Sequence, residues 1–153
     1  MQLTSYSDYS LRVLIYLGLR PKNVTTIADI SQSYNISRNH IVKVVHNLSN
    51  LGFIRTIRGR HGGMMLARNP ESINVADVIQ KTEPNFCIAE CFGNDGKCCI
   101  KEYCRLKGIL DQACQGFFAV LGKYTLADLL DNNAQLIQIL SDVEAPLRTL
   151  AIT

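Results

Sequence analysis

Hydrophobic positions recur at spacings of three and four along most of the chain, which predicts a mainly helical protein. Over residues 5–20, Leu11, Leu14, Ile15 and Gly18 share one helical face, Thr4 is placed to cap the start, and Pro21 follows the end. A short second helix carries Ile27, Ala28 and Ile30 behind a cap at Thr25 or Thr26. Tyr34-Asn35-Ile36 breaks it, because Asn tolerates the left-handed backbone of a tight turn. Ser37 caps a third helix with an apolar stripe of Ile41, Val44, Val45, Leu48 and Leu51, and Gly52 ends it.

The period then changes from helical to extended. Residues 53–57 are β-prone, Arg58-Gly59-Arg60-His61-Gly62-Gly63 is a basic, glycine-rich turn, and residues 64–67 supply a return strand. A fourth helix is expected over Val75 to Thr82, capped by Asn74 and closed by Pro84. A longer helix runs from Glu102 to about Gly122 with Leu106, Ile109, Leu110, Ala113, Phe117, Val120 and Leu121 as its apolar positions. A short capped helix over 124–130 and a further turn or two over 134–140 complete the pattern. The fold class expected is mainly α with a small β-hairpin wing: a winged helix-turn-helix followed by a long dimerisation helix. The expected domains are a DNA-binding unit over 1–83, a cysteine-rich loop over 84–101, and dimerisation and C-terminal helices over 102–153.

Charge sharpens this picture. The net charge of +3 is the sum of a surplus of seven positive charges in residues 1–68 and an excess of four acids in the rest. A basic first half predicts a polyanionic partner. The outward face of the third helix carries hydrogen-bonding side chains, and the wing tip follows directly. Ser37, Arg38, Asn39, His40, Lys43, Arg58, Arg60 and His61 are therefore the candidate contacts to double-stranded operator DNA. No apolar run approaches the ~20 residues that span a bilayer. Met1-Gln2-Leu3-Thr4 lacks the basic-then-apolar order of a signal peptide, so a cytoplasmic protein without membrane contact is expected.

In such a compartment, clustered cysteines point to metal or redox chemistry rather than disulfides. Five of the six cysteines fall within residues 87–104, a stretch that Gly93, Asn94, Asp95 and Gly96 interrupt as a loop. No C-x-x-C pair is present, and the spacing Cys91-x6-Cys98-x5-Cys104 is wide for a single small ion. It suits an iron–sulfur cluster held by thiolates. Zinc and a thiol switch at Cys98 or Cys99 remain alternative readings of the same spacing. Cys104 opens the long helix, where the backbone amides favour a thiolate or an anionic cluster. Cys114 falls mid-helix and reads as a small core residue. No redox pair, phosphate loop or carboxylate constellation suggests an enzyme.

Several motifs in order resemble the winged-helix regulators that carry iron–sulfur clusters, the family of NsrR and IscR. They are Met1-Gln2-Leu3-Thr4 with Asp8-Tyr9, Ser37-Arg38-Asn39-His40 with Lys43, the wing tip, the cysteine trio, Cys104-Arg105-Leu106-Lys107, and Tyr124-Thr125-Leu126-Ala127-Asp128-Leu129. The resemblance implies a homodimeric repressor. IscR-type members use a His three residues after the last cysteine, where this chain has Lys107, a poor ligand. NsrR-type members use an Asp of the first helix from the partner subunit, and Asp8 is the matching residue. The resemblance therefore implies ligation by Cys91, Cys98, Cys104 and Asp8, a [4Fe-4S] rather than [2Fe-2S] cluster, and nitric oxide as signal. Regulation by redox or iron status through a [2Fe-2S] cluster, zinc or thiol oxidation is the alternative. The chain departs from the pattern in its doublet Cys98-Cys99 and in the additional Cys87.

Overall fold

The computed structural model describes residues 2–60, 62–84, 86, 88–93, 98–100, 102–131 and 133–142. Helix α1 spans Ser5–Gly18, and the Thr4 side chain caps it by accepting from Ser7 N. Helix α2, Ile27–Tyr34, begins with a reciprocal capping box: Thr26 accepts from the Asp29 amide, and the Asp29 carboxylate accepts from the Thr26 amide. Asn35 ends it at φ 51°, the left-handed turn that its side chain tolerates. Helix α3, Arg38–Asn50, starts at Ser37, whose Oγ accepts from His40 N. Gly52, at φ +70°, lets the chain reverse so that Phe53 N reaches back to the Leu48 carbonyl.

Strands β1 (Ile54–Ile57) and β2 (Gly63–Leu66) pair antiparallel in the register Ile54 with Leu66 and Ile57 with Gly63. Met64 also exchanges backbone hydrogen bonds with Thr25, which fastens the hairpin to the start of α2. Helix α4 is Val75–Thr82, and Asn74 Oδ1 accepts from the amides of Ala76 and Asp77. Helix α5 spans Arg105–Leu121, and α6 spans Asn133–Asp142. Short 3₁₀ turns lie at Pro70–Ser72, Glu90–Phe92 and Asp128–Leu130.

One core joins these elements. Val13, Leu14, Tyr16 and Leu17 of α1 are buried with Ile30 of α2, Ile41, Val44 and Leu48 of α3, Phe53, Met64 and Val78. Helix α1 packs on α3, α4 and β2. Leu126 and Leu140 join the same cluster from the C-terminal segment. At Gly18 an added Cβ would stand 2.6 Å from Leu130 Cδ1, so a residue without a side chain lets the Asp128–Leu130 turn seat against α1. The result is a winged helix-turn-helix: α2 and α3 around the Asn35 turn, with the hairpin beside them.

Two expected boundaries shift. The long helix begins at Arg105 rather than Glu102, because residues 102–103 close a turn through Tyr103 N and the Ile100 carbonyl, and Cys104 is extended. Of residues 124–130 only Asp128–Leu130 form a helical turn, a 3₁₀ one, since the backbone ahead of it is spent on Ile73: Leu126 N donates to its carbonyl at 2.7 Å.

Burial of Tyr34 pushes its phenol up to about 12, against the opposing attraction of Arg12 and Arg20. A neutral phenol is thus retained in the folded protein at a pH where the unfolded chain ionises, near 10. Its contribution to stability is complete below about pH 10 and lost as pH rises through about 12. Tyr34→Phe should lose less stability than the wild type between pH 10 and 12 in urea titrations. Parallel losses in the two proteins would contradict this.

Candidate functional site

The side chains expected to meet DNA lie on α3 and at the wing. Ser37, Arg38, Asn39, His40 and Lys43 are all exposed, occupying the first turn and a half of α3 opposite its buried stripe. Arg58 and Arg60 are exposed at the wing. His61 lies outside the described residues. Ser37 spends its hydroxyl on capping α3, and the His40 ring packs on Tyr9 of α1 at 6.0 Å. Tyr6 Oη donates to the Lys43 carbonyl at 3.3 Å. The start of the recognition helix is thereby held by two tyrosines of α1.

The described cysteines lie between the Glu90–Phe92 turn and helix α5. Cys91 sits in the Glu90–Phe92 turn, and Cys104 is the cap residue of α5, with no side-chain hydrogen bond to the helix amides. Both are half-buried and line one open cavity of about 850 Å³, together with Phe92, Glu102, Lys107 and Asp111. Cys98 and Cys99 are exposed and are not among that cavity's lining residues. Cys114 is half-buried on α5. Cys87 lies outside the described residues. Among the described residues no three His, Cys, Asp or Glu side chains converge to hold a metal ion.

The chemistry of the donors fits an iron–sulfur cluster. Two thiols face a shared cavity and not a tight tetrahedron, one of them at the positive end of a helix of 17 residues. The Lys107 ammonium, in the first turn of α5, adds a cation beside them. Asp8 is not part of that cavity in its own chain. Its carboxylate instead receives a forked contact from Arg12, at 2.7 Å to Nη2 and 3.1 Å to Nε. Arg12 is in turn 5.9 Å from the rings of both Tyr9 and Tyr34.

Comparison with known proteins identifies the family. A family model described as Rrf2, iron-dependent transcriptional regulator, matches residues 3–132. The chain belongs to the Rrf2 family. It is similar to the transcriptional regulator NsrR of Bacillus subtilis, with 47% identity over 142 residues, covering 92% of this chain and 97% of that protein. Similarity to NsrR of Halalkalibacterium halodurans is 49% over 138 residues, covering 89% and 94%. In structure it resembles IscR of T. potens, at a TM-score of 0.70 and 20% identity over 86% of this chain and 88% of that one. Staphylococcus aureus CymR superposes at 0.68 and 23% identity, over 84% and 97%. Those two likenesses speak for the fold. Taken with the Rrf2 match and the NsrR similarity, they make the chain a DNA-binding transcription regulator and not an enzyme.

Four residues of this Rrf2 chain carry contacts that sequence reasoning did not single out: Tyr6, Arg12, Thr82 and Glu83. The i,i+4 spacing of Asp8 and Arg12 signals their pairing. The other three act between segments far apart in the chain, for which the sequence carries no local signal. No helix among the described residues is long and apolar enough to cross a membrane.

Proposed function

We propose that the chain is a homodimeric repressor whose grip on operator DNA is gated by an iron–sulfur cluster, with nitric oxide as the signal. The observation that carries this reading is the cavity shared by Cys91 and Cys104 at the start of α5, in a chain so similar to NsrR regulators. Cys91, Cys98 and Cys104 would hold the cluster, with Asp8 of the partner subunit as fourth ligand and [4Fe-4S] favoured over [2Fe-2S]. In its own chain Asp8 pairs with Arg12 and does not line this cavity, so in this reading the carboxylate comes from the other subunit. When bound, the cluster supplies iron that reacts with nitric oxide.

The protein's own residues turn that reaction into a change at DNA. Asp8 sits in the first helical turns of α1, between the tyrosines that hold α3. A bond from that helix to the partner's cysteine site would fix the spacing of the two recognition helices, which must match successive major grooves. Without that bond Asp8 would be held by Arg12 alone, as it is in this chain. The outward face of α5 supports the dimer: Tyr103 just ahead of it is 90% exposed, and Leu106, Ile109 and Val120 are 59%, 61% and 54% exposed. A row of this kind on a helix of 17 residues has the spacing of a helix–helix seam. Residues 1–83 would read DNA, 84–101 hold the cluster and 102–153 join the subunits. Arg38, Asn39, His40, Lys43, Arg58, Arg60 and His61 would meet bases and phosphates, with Ser37 presenting the start of α3. The exposed doublet Cys98-Cys99 favours one second reading, a switch by thiol oxidation without a cluster.

Native mass spectrometry of protein purified without oxygen should show a dimer with one [4Fe-4S] cluster per subunit, and nitrosylated iron products after a nitric oxide donor. The Cys91→Ala, Cys98→Ala and Cys104→Ala variants should each lose the visible chromophore. A metal-free or zinc-bound dimer that nitric oxide leaves unchanged would overturn the cluster reading and favour the thiol switch.

Lys43→Gln and Arg60→Gln should each weaken operator binding and lower the slope of log affinity against log salt by about one, as expected for one lost phosphate contact. A slope equal to the wild type in either variant would remove that residue from the interface.

A further inference from the structure

Among the described residues three threonines, Thr4, Thr26 and Thr125, stand ahead of helical turns, and the carboxylate that answers one of them comes from a distant segment. At α2 and again at the Asp128–Leu130 turn, a Thr is answered by an Asp three residues later, whose carboxylate accepts from the Thr amide: Asp29 for Thr26 at 2.8 Å, and Asp128 for Thr125 at 2.6 Å. At α1 the residue three positions after the cap is Ser7, whose short hydroxyl does not take that role. The Glu83 carboxylate takes it instead, from the end of α4, 79 residues away in sequence. Its Oε1 accepts from Thr4 N at 2.7 Å and from Thr4 Oγ1 at 3.1 Å. The Thr4 hydroxyl in turn accepts from Ser7 N at 3.3 Å. Beside this, buried Ser7 Oγ and Thr82 Oγ1 are hydrogen-bonded at 2.9 Å. The last two residues of the α4 end therefore grip the cap and the first turn of α1.

We infer that Glu83 is a positioning residue that couples the cysteine segment to the recognition helix within one subunit. A carboxylate at a helix start satisfies an otherwise unpaired amide and complements the helix dipole, and here both benefits hold only while the end of α4 stays in place. Pro84 follows Glu83 immediately, and the segment that carries Cys91 and Cys104 departs from there. On the other side of the same turn of α1, Tyr6 reaches the Lys43 carbonyl and Tyr9 packs on His40. A shift of the cysteine segment that drags Glu83 releases the start of α1, and with it the two tyrosines that hold α3. This route needs no residue of the partner, so it operates beside any ligand that Asp8 supplies across the dimer. The inference rests on the gated-repressor reading for its role in signalling, but not for the existence of the cap.

The test compares wild type, Glu83→Ala and Glu83→Gln, since the Gln carbonyl oxygen still accepts from Thr4 and serves as the rescue. In the cluster-free proteins, hydrogen exchange of the amides of residues 7–10 should quicken about tenfold in Glu83→Ala, the scale of a lost cap, and stay near wild type in Glu83→Gln. The amide of Leu48 should remain protected in all three, which shows that the core is intact. The ratio of operator affinities with and without cluster should shrink about fivefold in Glu83→Ala and be retained in Glu83→Gln. Wild-type exchange at residues 7–10 in Glu83→Ala, or an unchanged affinity ratio, overturns the inference while the repressor reading stands. A wild-type protein that binds operator equally with and without cluster overturns both.

Discussion

Helix α1 packs simultaneously against the recognition helix, β2 of the wing and α4, through Val13, Leu14, Tyr16 and Leu17. Interiors packed this closely do not deform smoothly, so α1 moves as a body or holds its neighbours still. The side of α1 near its start holds α3 through Tyr6 and Tyr9, and the same turns carry Asp8 and the polar grip of Thr82 and Glu83. Its other end is fixed by the close seating of Leu130 on Gly18.

This arrangement separates two tasks in space. The basic, exposed residues of α3 and the wing face outward from the winged helix, whereas Cys91 and Cys104 line a cavity at the start of α5. The two sites therefore share no residue. Helix α5 contributes no buried residue and leans on α4. In one subunit it is poorly anchored, and its apolar outer row gains full burial only against another surface.

Much of the fold was legible because its signals are local. Thr4, Ser37 and Asn74 act as the caps their positions suggested, Asn35 makes the left-handed turn, and the stripe Ile41, Val44, Val45 and Leu48 is buried. Periodicity failed where long-range pairing overrode it. Residues 124–130 have a helical pattern, but Val75 N to the Tyr124 carbonyl and Leu126 N to the Ile73 carbonyl pull the backbone into an irregular path. The start of α5 was misplaced by three residues for a similar reason, a turn at Ile100–Tyr103 that the apolar pattern does not encode. Of the candidate site, the shared cavity of Cys91 and Cys104 and the exposed polar face of α3 follow from spacing and residue type, whereas Cys98 does not line that cavity. The Glu83 cap on Thr4 does not, since nothing local marks residues 79 apart as partners.

In the proposed repressor the cysteine site would govern DNA binding through α1. Titrating anaerobic, cluster-loaded protein with nitric oxide, while following operator binding by fluorescence anisotropy at fixed salt, tests it most directly. Affinity should fall in step with the loss of the cluster's absorbance, and an Asp8→Ala variant should lose much of that dependence. Operator affinity that stays constant while the cluster absorbance disappears would contradict it.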